Sequence, residues 1–450
     1  MAPTWVDHAM WWHVYPLGFT GAEPVADDAT PVTHRLAQVE AWVDHVVDLG
    51  LNGLALGPVF ASSTHGYDTV DHLRVDPRLG DRDDLDRLLA AAHDRGVRVL
   101  LDGVFNHVGE EHPLFRAALA GGPGSPEARL FRIRWPDDGG APDWDCFEGH
   151  RSLVTLNHDA PEVADLVADV MTHWLDAGAD GWRLDAAYAV PTGFWAQVVA
   201  RVRERHPDAY LMGEVIHGDY PAFVAESGLD GVTQYELWKA TWSAVRDRNW
   251  HELAWTLGRH DAFLDAFVPY TFVGNHDVTR IADQVGDPAL AGHALVVLMT
   301  VGGTPAVYSG DELAYRGVKE DRAGGDDAVR PAFPPTPADL PGPDQAPDAW
   351  AAYHRHQALI GLRRRHPWLH TARTRVVEVT NTRLAYEARP VGGAPDGAGP
   401  ALLVALNLDA GTWSLAAPDG ARVVAQDGPG TTERDHVVDV APLGWVVLEV

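Results

Sequence analysis

The stretch "DGWRLDAAYAV", residues 180–190, decides how this chain is read. It opens as a buried strand, yet it sets Arg183 and Asp185 two residues apart among Trp182, Leu184 and a run of alanines. On a strand, positions i and i+2 face the same side. A cation and a carboxylate therefore share one face of a segment whose other residues have the composition of a core. A buried charge is costly unless it is paired, so the pair calls for a reason.

Working outward, the stretch is one beat of a repeated rhythm: a short apolar run, a turn, then a helical pattern. Eight candidate strands follow this rule: "HVYPLGF" (13–19), "LNGLALGPVF" (51–60), "VRVLLDGVF" (97–105), "ADGWRLDAA" (179–187), "AYLMGEV" (209–215), "DGVTQYEL" (230–237), "FVPYTFVGN" (267–275) and "TPAVYSGDEL" (304–313). Amphipathic stretches lie between them, such as "HRLAQVEAWVDHVVDLG" and "DDLDRLLAAAHDRG", the second ending at Gly96 as a helix C-cap would. Eightfold alternation of strand and helix predicts an α/β fold, a (β/α)8 TIM barrel. Two regions break the rhythm. Residues 109–157, with "AGGPGSPEA" and "WPDDGGAPDWDCFEG", predict a short inserted subdomain after the third strand. From residue 369 onward, short strands alternate with Gly/Pro turns and predict a C-terminal antiparallel β domain, a small β-sandwich. The barrel is then assigned residues 1–108 and 158–368, the insert 109–157 and the last domain 369–450.

Composition narrows the function classes. The 450 residues are 46% hydrophobic, enough for a large core. Asp and Glu number 64 against 35 Lys and Arg, a formal net charge of -29. Such a surface repels phosphate backbones and anionic lipid, so neither nucleic acid nor membrane is expected as a partner. The single cysteine, Cys146, excludes an intramolecular disulfide and argues against a thiolate zinc site. The start, "MAPTWVDHAMWWHVYPLGF", lacks a basic region followed by an uninterrupted apolar one, and nothing approaches 18 uncharged apolar residues. A cytoplasmic enzyme is the expectation.

In a barrel of this kind the active site lies at the C-terminal ends of the strands. The third strand ends "DGVFNH" with Asp102, Asn106 and His107; the fourth carries Arg183 and Asp185; the fifth ends at Glu214; the seventh ends "GNHD" with His276 and Asp277. Any one of these alone is equally well explained by a salt bridge or a helix N-cap. Carboxylates converging on one barrel mouth are not accidental packing. With no Cys/His metal cluster and no Gly-rich phosphate loop, they point to glycoside hydrolysis, which needs one ionised and one protonated carboxyl across the scissile bond. Arg183 beside Asp185 favours the ionised form there, and a Glu close to other carboxylates is pushed towards the acid form.

These residues resemble the α-amylase family of glycoside hydrolases (family 13). "DGVFNH", "GWRLDAA", "GEV" and "FVGNHD" match its four motifs in order, and the likeness extends to "HGYDTVDHLRVDPRLG" (65–80), "SLVTLNHDAPEV" (152–163) and "GGTPAVYSGDEL" (302–313). By that resemblance Asp185 is the nucleophile of a retaining reaction, Glu214 the general acid/base and Asp277 the carboxylate that binds ring hydroxyls. Arg183, His107 and His276 match residues that hold the sugar at the cleaved bond. Tyr67 matches the aromatic stacked beneath it, while Asp102 and Arg280 match supports of the site. The family's structural calcium, when present, uses the Asn of the first motif, here Asn106. The insert offers Asp137, Asp138, Asp143 and Asp145 in no recognisable ligand pattern, so no cofactor is required by this reading and calcium is left open.

The resemblance also narrows the substrate. Starch amylases carry Lys-His three and four residues after the nucleophile, where this chain has Tyr188 and Ala189. Exo-acting α-glucosidases have an Asp two residues before the Gly of "GYD", where this chain has Thr64. "SGDELAYRGVKEDRAGGDDAVRPAF" (309–333) is similar to the barrel end of neopullulanases and cyclomaltodextrinases, intracellular enzymes of short or cyclic glucans. Their N-terminal dimerisation domain is not seen here, so a monomer, or a homodimer through another interface, is expected. Ala186 after the nucleophile leans towards α-1,4 bonds, with α-1,6 bonds a further expectation. The expected activity is therefore retaining hydrolysis of short or cyclic malto-oligosaccharides. The rival is a transglycosylase or a sucrose- or trehalose-active isomerase on the same triad, with Tyr188, Trp135 and Trp144 as candidate determinants. A non-catalytic interaction subunit is a third reading, opposed by the intact triad.

Overall fold

Parallel strands buried on both faces read as continuous apolar runs, and the barrel strands do so here. A computed structural model describes residues 2–322, 324–392, 400–427, 432–434 and 436–450. The barrel strands are β1 (Trp11–Val14), β2 (Gly53–Leu56), β3 (Arg98–Gly103), β4 (Gly181–Leu184), β5 (Tyr210–Gly213), β6 (Gly231–Val232), β7 (Tyr270–Phe272) and β8 (Thr304–Tyr308). They run in the order β6-β5-β4-β3-β2-β1-β8-β7, all neighbours parallel, and a parallel bridge between Thr233 and Tyr270 closes the ring. Alternate residues face inward: Trp11, Ala55, Leu100, Tyr210, Met212, Tyr270, Phe272 and Ala306 fill the barrel, where Trp11 and Tyr210 stack at 6.2 Å. Trp12, Leu54, Leu101, Trp182 and Leu211 face the surrounding helices.

Local chemistry sets several boundaries. Asp81 caps the helix Arg82–Asp94 through a reciprocal capping box with Asp84, and Gly96 follows it at φ 72. All eight strands are shorter than the runs that predicted them, and two show why. The run 13–19 bends at Pro16 into a helical turn, Pro16–Phe19, so the strand ends at Val14. The run 230–237 gives only Gly231–Val232, because the Gln234 side chain accepts from the Glu236 and Leu237 amides and starts the helix Tyr235–Arg246. The stretch 34–50 forms two helices, Leu36–Ala41 and Val43–Leu49, rather than one.

Close approach of β4 to its neighbours requires glycine at its start. A Cβ at Gly181 would lie 2.1 Å from the Tyr210 carbonyl oxygen and 2.8 Å from Leu100. Gly181→Ala is expected to destabilise by about 1–3 kcal/mol, read as a lower urea midpoint. An unchanged midpoint would mean that β4 and β5 tolerate more separation than this packing allows.

The insert leaves the barrel through His107–Gly109, which pairs with Leu153–Thr155; between them lie the helix Pro113–Gly121 and the hairpin Ile133–Arg134/Asp143–Trp144. After the helix Pro347–Arg365 come β9 (Arg373–Val379), β10 (Arg383–Arg389), β11 (Leu402–Asn407), β12 (Trp413–Ala416), β13 (Arg422–Gln426), β14 (Thr432–Arg434), β15 (Val437–Val440) and β16 (Trp445–Glu449). They form two antiparallel sheets, β9-β10-β11-β16-β13 and β12-β15-β14. Leu403, Ala405 and Leu448 meet Trp413, Leu415 and Val438 between the sheets, whereas Leu402, Val404 and Leu406 join the barrel's outer core. The predicted turn within "PVGGAPDGAGP" falls largely on 393–399, outside the described residues. No helix among the described residues is long and apolar enough to cross a membrane.

Candidate active site

The register of β3 and β4 places Arg183 directly opposite Asp102. Arg183 Nη1 donates to both Asp102 oxygens (2.8 and 2.7 Å) and to Asp185 Oδ1 (3.1 Å). Its Nη2 reaches Glu214 Oε1 at 2.9 Å. One guanidinium thus serves three carboxyls, all of them buried. Were all three ionised the cluster would be net negative, so it favours retaining a proton. Burial pushes Asp102 up to about 6 and Asp185 well above the usual aspartate range, both against the pull of Arg183. Burial also opposes the Arg183 charge, but Asp102, Glu214, Tyr67 and Asp185 together hold its pKa well above the usual arginine value. The expectation that Arg183 beside Asp185 favours its ionised form is met only in part: Arg183 pulls the pKa down, but burial outweighs that pull and the charge is shared with Glu214 and with Asp102, which takes the shortest contacts.

The turn after β4 is built for Glu214. Ala186 adopts a left-handed conformation, φ 43 and ψ 38, and its amide donates to Glu214 Oε2 at 3.1 Å. That geometry costs a residue with a Cβ about 1–2 kcal/mol. Tyr235 Oη donates to Glu214 Oε1 at 3.1 Å and accepts from Asn275 Nδ2 at 2.9 Å. Glu214 is thereby fixed from three directions by groups on β4, β4's turn and the helix after β6.

Across the mouth, the end of β7 presents Asp277. Asn275 Oδ1 accepts its amide, His276 Nε2 lies 3.0 Å from Oδ2, and Arg330 Nη2 donates to Oδ1 at 2.7 Å. Arg330 Nε also donates to the His276 carbonyl at 2.8 Å, and its guanidinium sits 4.6 Å from the Tyr15 ring centroid. The Tyr15 and Tyr67 rings each lie nearly parallel to the His276 ring, with centroids 5.5 Å away. Burial, followed by His13 and Arg330, holds the His276 pKa well below the usual value, so it is neutral. Tyr67 Oη bonds to His276 Nε2 and to Asp102 Oδ2 (3.2 Å). His107 Nε2 meets the Tyr67 carbonyl at 3.0 Å, and burial lowers its pKa to about 3. A cavity lined by His13, Arg183, Glu214, Tyr235, Asn275 and His276 continues beneath these groups.

Asp185, Glu214, Asp277, Arg183, His107, His276, Tyr67 and Asp102 are thus brought together. Tyr188 lies at the rim, its hydroxyl bonded to Glu148 Oε1 at 2.9 Å. Arg280 does not join them. Its Nη1 donates to Ser309 O (2.9 Å) and Asp311 Oδ1 (3.0 Å), so it braces the turn after β8. Asn106 immediately precedes His107 after the end of β3. Its Nδ2 donates to His107 Nδ1, Asp143 and Asp145 are taken by Arg134 and Arg151, and Asp138 closes its own turn onto the Gly140 amide. Among the described residues, the one group of three or more His, Cys, Asp or Glu whose ligand atoms all lie within 4.8 Å of one another is His34, Asp81 and Asp84, on another part of the barrel.

Tyr235, Arg330, Tyr15 and His13 were not singled out from sequence. Tyr235 sits in a run that reads as strand, and Arg330 lies far along the chain from Asp277 in an irregular loop. Arg330→Leu is expected to lower kcat/KM about 10–100-fold, the worth of one hydrogen bond to a charged group, with the fold retained. Wild-type kinetics in that variant would remove Arg330 from the site's support.

A family model described as the alpha amylase catalytic domain matches residues 36–381. A cyclomaltodextrinase of Geobacillus thermopakistaniensis is 31% identical over 342 residues, covering 70% of this chain and 58% of the relative. The chain accordingly spans about three-fifths of the length of such curated relatives. Among solved structures, a cyclomaltodextrinase superposes with a TM-score of 0.81 at 26% identity, over all of this chain and 79% of that one. The cyclic alpha-maltosyl-(1→6)-maltose hydrolase of Arthrobacter globiformis, in complex with that sugar, shares the fold over the full length of both chains, with a TM-score of 0.82 at 22% identity. Its ordered motifs, its closed barrel and these matches carry one conclusion: the chain belongs to the α-amylase family.

Proposed function

We propose that this protein hydrolyses α-glucosidic bonds of short or cyclic malto-oligosaccharides with retention of configuration. The observation that carries the proposal is the single Arg183 guanidinium bridging Asp185 and Glu214 at the barrel mouth, with Asp277 facing them from β7. In this reading Asp185 attacks the anomeric carbon as Glu214 protonates the departing oxygen, which forms a covalent glycosyl intermediate. Glu214 then takes a proton from water, which attacks that carbon and releases Asp185. Arg183 steadies the carboxylates through both steps, and Asp277, steered by Arg330 and His276, accepts hydrogen bonds from ring hydroxyls as positive charge develops. The names of the matched relatives, cyclomaltodextrinase among them, support the choice of small glucans. A cytoplasmic setting fits a chain whose one cysteine calls for no oxidising compartment.

The test is a panel of maltotriose, panose, isomaltose, pullulan, cyclodextrins, sucrose and trehalose, with NMR of the first-released anomer. The α-anomer is expected first, from maltotriose or a cyclodextrin. Initial β-anomer would end the retaining reading. Transfer to a sugar acceptor, by a transglycosylase or an isomerase, is the second reading, and the partly open Phe147 and Tyr188 rings at the rim favour it. Predominant transfer or isomerised products from the panel would select it.

A further inference from the structure

Four arginines are buried among the described residues: Arg78, Arg183, Arg280 and Arg363. Three are neutralised where they lie. Arg78 pairs with Asp76 at 2.7 Å, Arg183 with Asp102 at 2.7 Å and Arg280 with Asp311 at 3.0 Å. Arg363, in the last turn of the helix Pro347–Arg365, pairs with no carboxylate among the described residues, although Asp and Glu number 64 in the chain. Its Nη1 donates to the Met299 and Val301 carbonyls (3.1 and 2.8 Å), and its Nη2 to those of Gly303 and Leu369 (2.6 and 3.3 Å). Carbonyls satisfy these donors without neutralising the charge, and a buried charge is costly until it is paired. Burial alone pushes the Arg363 pKa down to about 9.

Arg363 lines a cavity of about 130 Å3 whose wall also includes Arg364, His8, His370 and a single carboxylate, Asp7. Met10 and Gly303, the residues before β1 and β8, belong to it too, so it lies at the end of the barrel opposite the active site. Arg364 is exposed; its Nε donates to the Gly50 carbonyl, and its Nη groups meet no acceptor among the described residues. Asp7 is exposed as well, 3.4 Å from His370 Nε2. Burial, followed by Arg363 and His8, lowers the His370 pKa to about 4, so that ring is neutral. In a protein of net charge -29, the sign of charge is reversed here.

We infer that this cavity binds a small oxyanion of the shape and charge of inorganic phosphate, with Arg364 at the mouth and Arg363 as the buried counter-charge. The volume exceeds the share of one water, about 30 Å3, several times over, which admits a tetrahedral ion. The unused Nη groups of Arg364 form the fork that suits two oxygens of such an ion. A bound anion joins residues 7–10, the start of β8, the end of the helix Pro347–Arg365 and the turn Pro367–Thr371, which leads into β9. It therefore fastens the barrel to the path into the C-terminal domain, and its effect is on stability.

The experiment measures phosphate binding by isothermal titration calorimetry at pH 7.5, with sodium chloride holding the ionic strength constant. Wild type is compared with Arg364→Gln and Asp7→Asn. Arg363 is left in place, because its removal unpairs four carbonyls and threatens the fold. Wild type is expected to bind one phosphate per chain and to melt at a higher temperature in phosphate than in chloride of equal ionic strength. Arg364→Gln should weaken binding about tenfold, the loss of one hydrogen bond to a charged group. Asp7→Asn should tighten it about two- to fivefold by removing an exposed like charge. Glucose 1-phosphate should bind no more tightly than phosphate; tighter binding would show an esterified ligand and overturn the free ion. Absence of saturable phosphate binding, or an affinity unchanged in either variant, overturns the site.

Discussion

Glu214→Gln is expected to leave the barrel folded and to lower kcat on maltotriose about 10²–10⁴-fold, the usual contribution of general acid–base catalysis. The amide oxygen of glutamine can still accept from Arg183 and Tyr235, as Glu214 Oε1 does now. Its NH2 faces the Ala186 amide, where Glu214 Oε2 now accepts, so one contact is lost and the melting temperature falls by a few degrees at most. What the substitution cannot replace is a proton for the departing oxygen. Turnover within tenfold of wild type, by a variant with unchanged circular dichroism, would exclude Glu214 as the acid.

Arg183→Leu is expected to do more, costing both activity and stability. The substitution leaves Asp102, Asp185 and Glu214 together without their shared cation. Breaking a buried ion pair on one side costs about 3–5 kcal/mol. The loss should depend on pH in a definite direction. In the wild type the Asp102 pKa is already raised to about 6 by burial. The folded state then binds that proton more tightly than the unfolded chain, whose Asp titrates near about 3.9. Its contribution to stability is full below the unfolded value and declines as pH rises towards the folded value. Without Arg183 the folded value moves further up, so the decline extends to higher pH and grows larger. Urea midpoints at pH 5 and pH 8 should therefore separate more for the variant than for wild type. Equal separations would show that Arg183 stabilises by packing rather than by charge.

How much of this was legible beforehand differs element by element. The helix Arg82–Asp94 was readable because its signals are local: an Asp cap, an apolar stripe and a glycine beyond its end. The shortening of the sixth strand was not, because Gln234 reads as one more polar strand residue until its side chain is seen capping the next helix. The triad was readable as a set of strand ends. Arg330 was not, since its bond to Asp277 crosses 53 residues of sequence and depends on how an irregular loop folds back.

Periodicity of two put Arg183 on β4 and Asp185 just past its end on one side, and the sequence by itself determined that, together with the eightfold barrel rhythm and the order of the carboxylates. Strand geometry is local, so a pattern along one segment suffices. Only the tertiary structure decided that Asp102 lies opposite Arg183, that Glu214 draws on the same guanidinium, and that Glu148 of the insert meets Tyr188. Those outcomes depend on interstrand register and loop closure, which join residues with no shared periodicity.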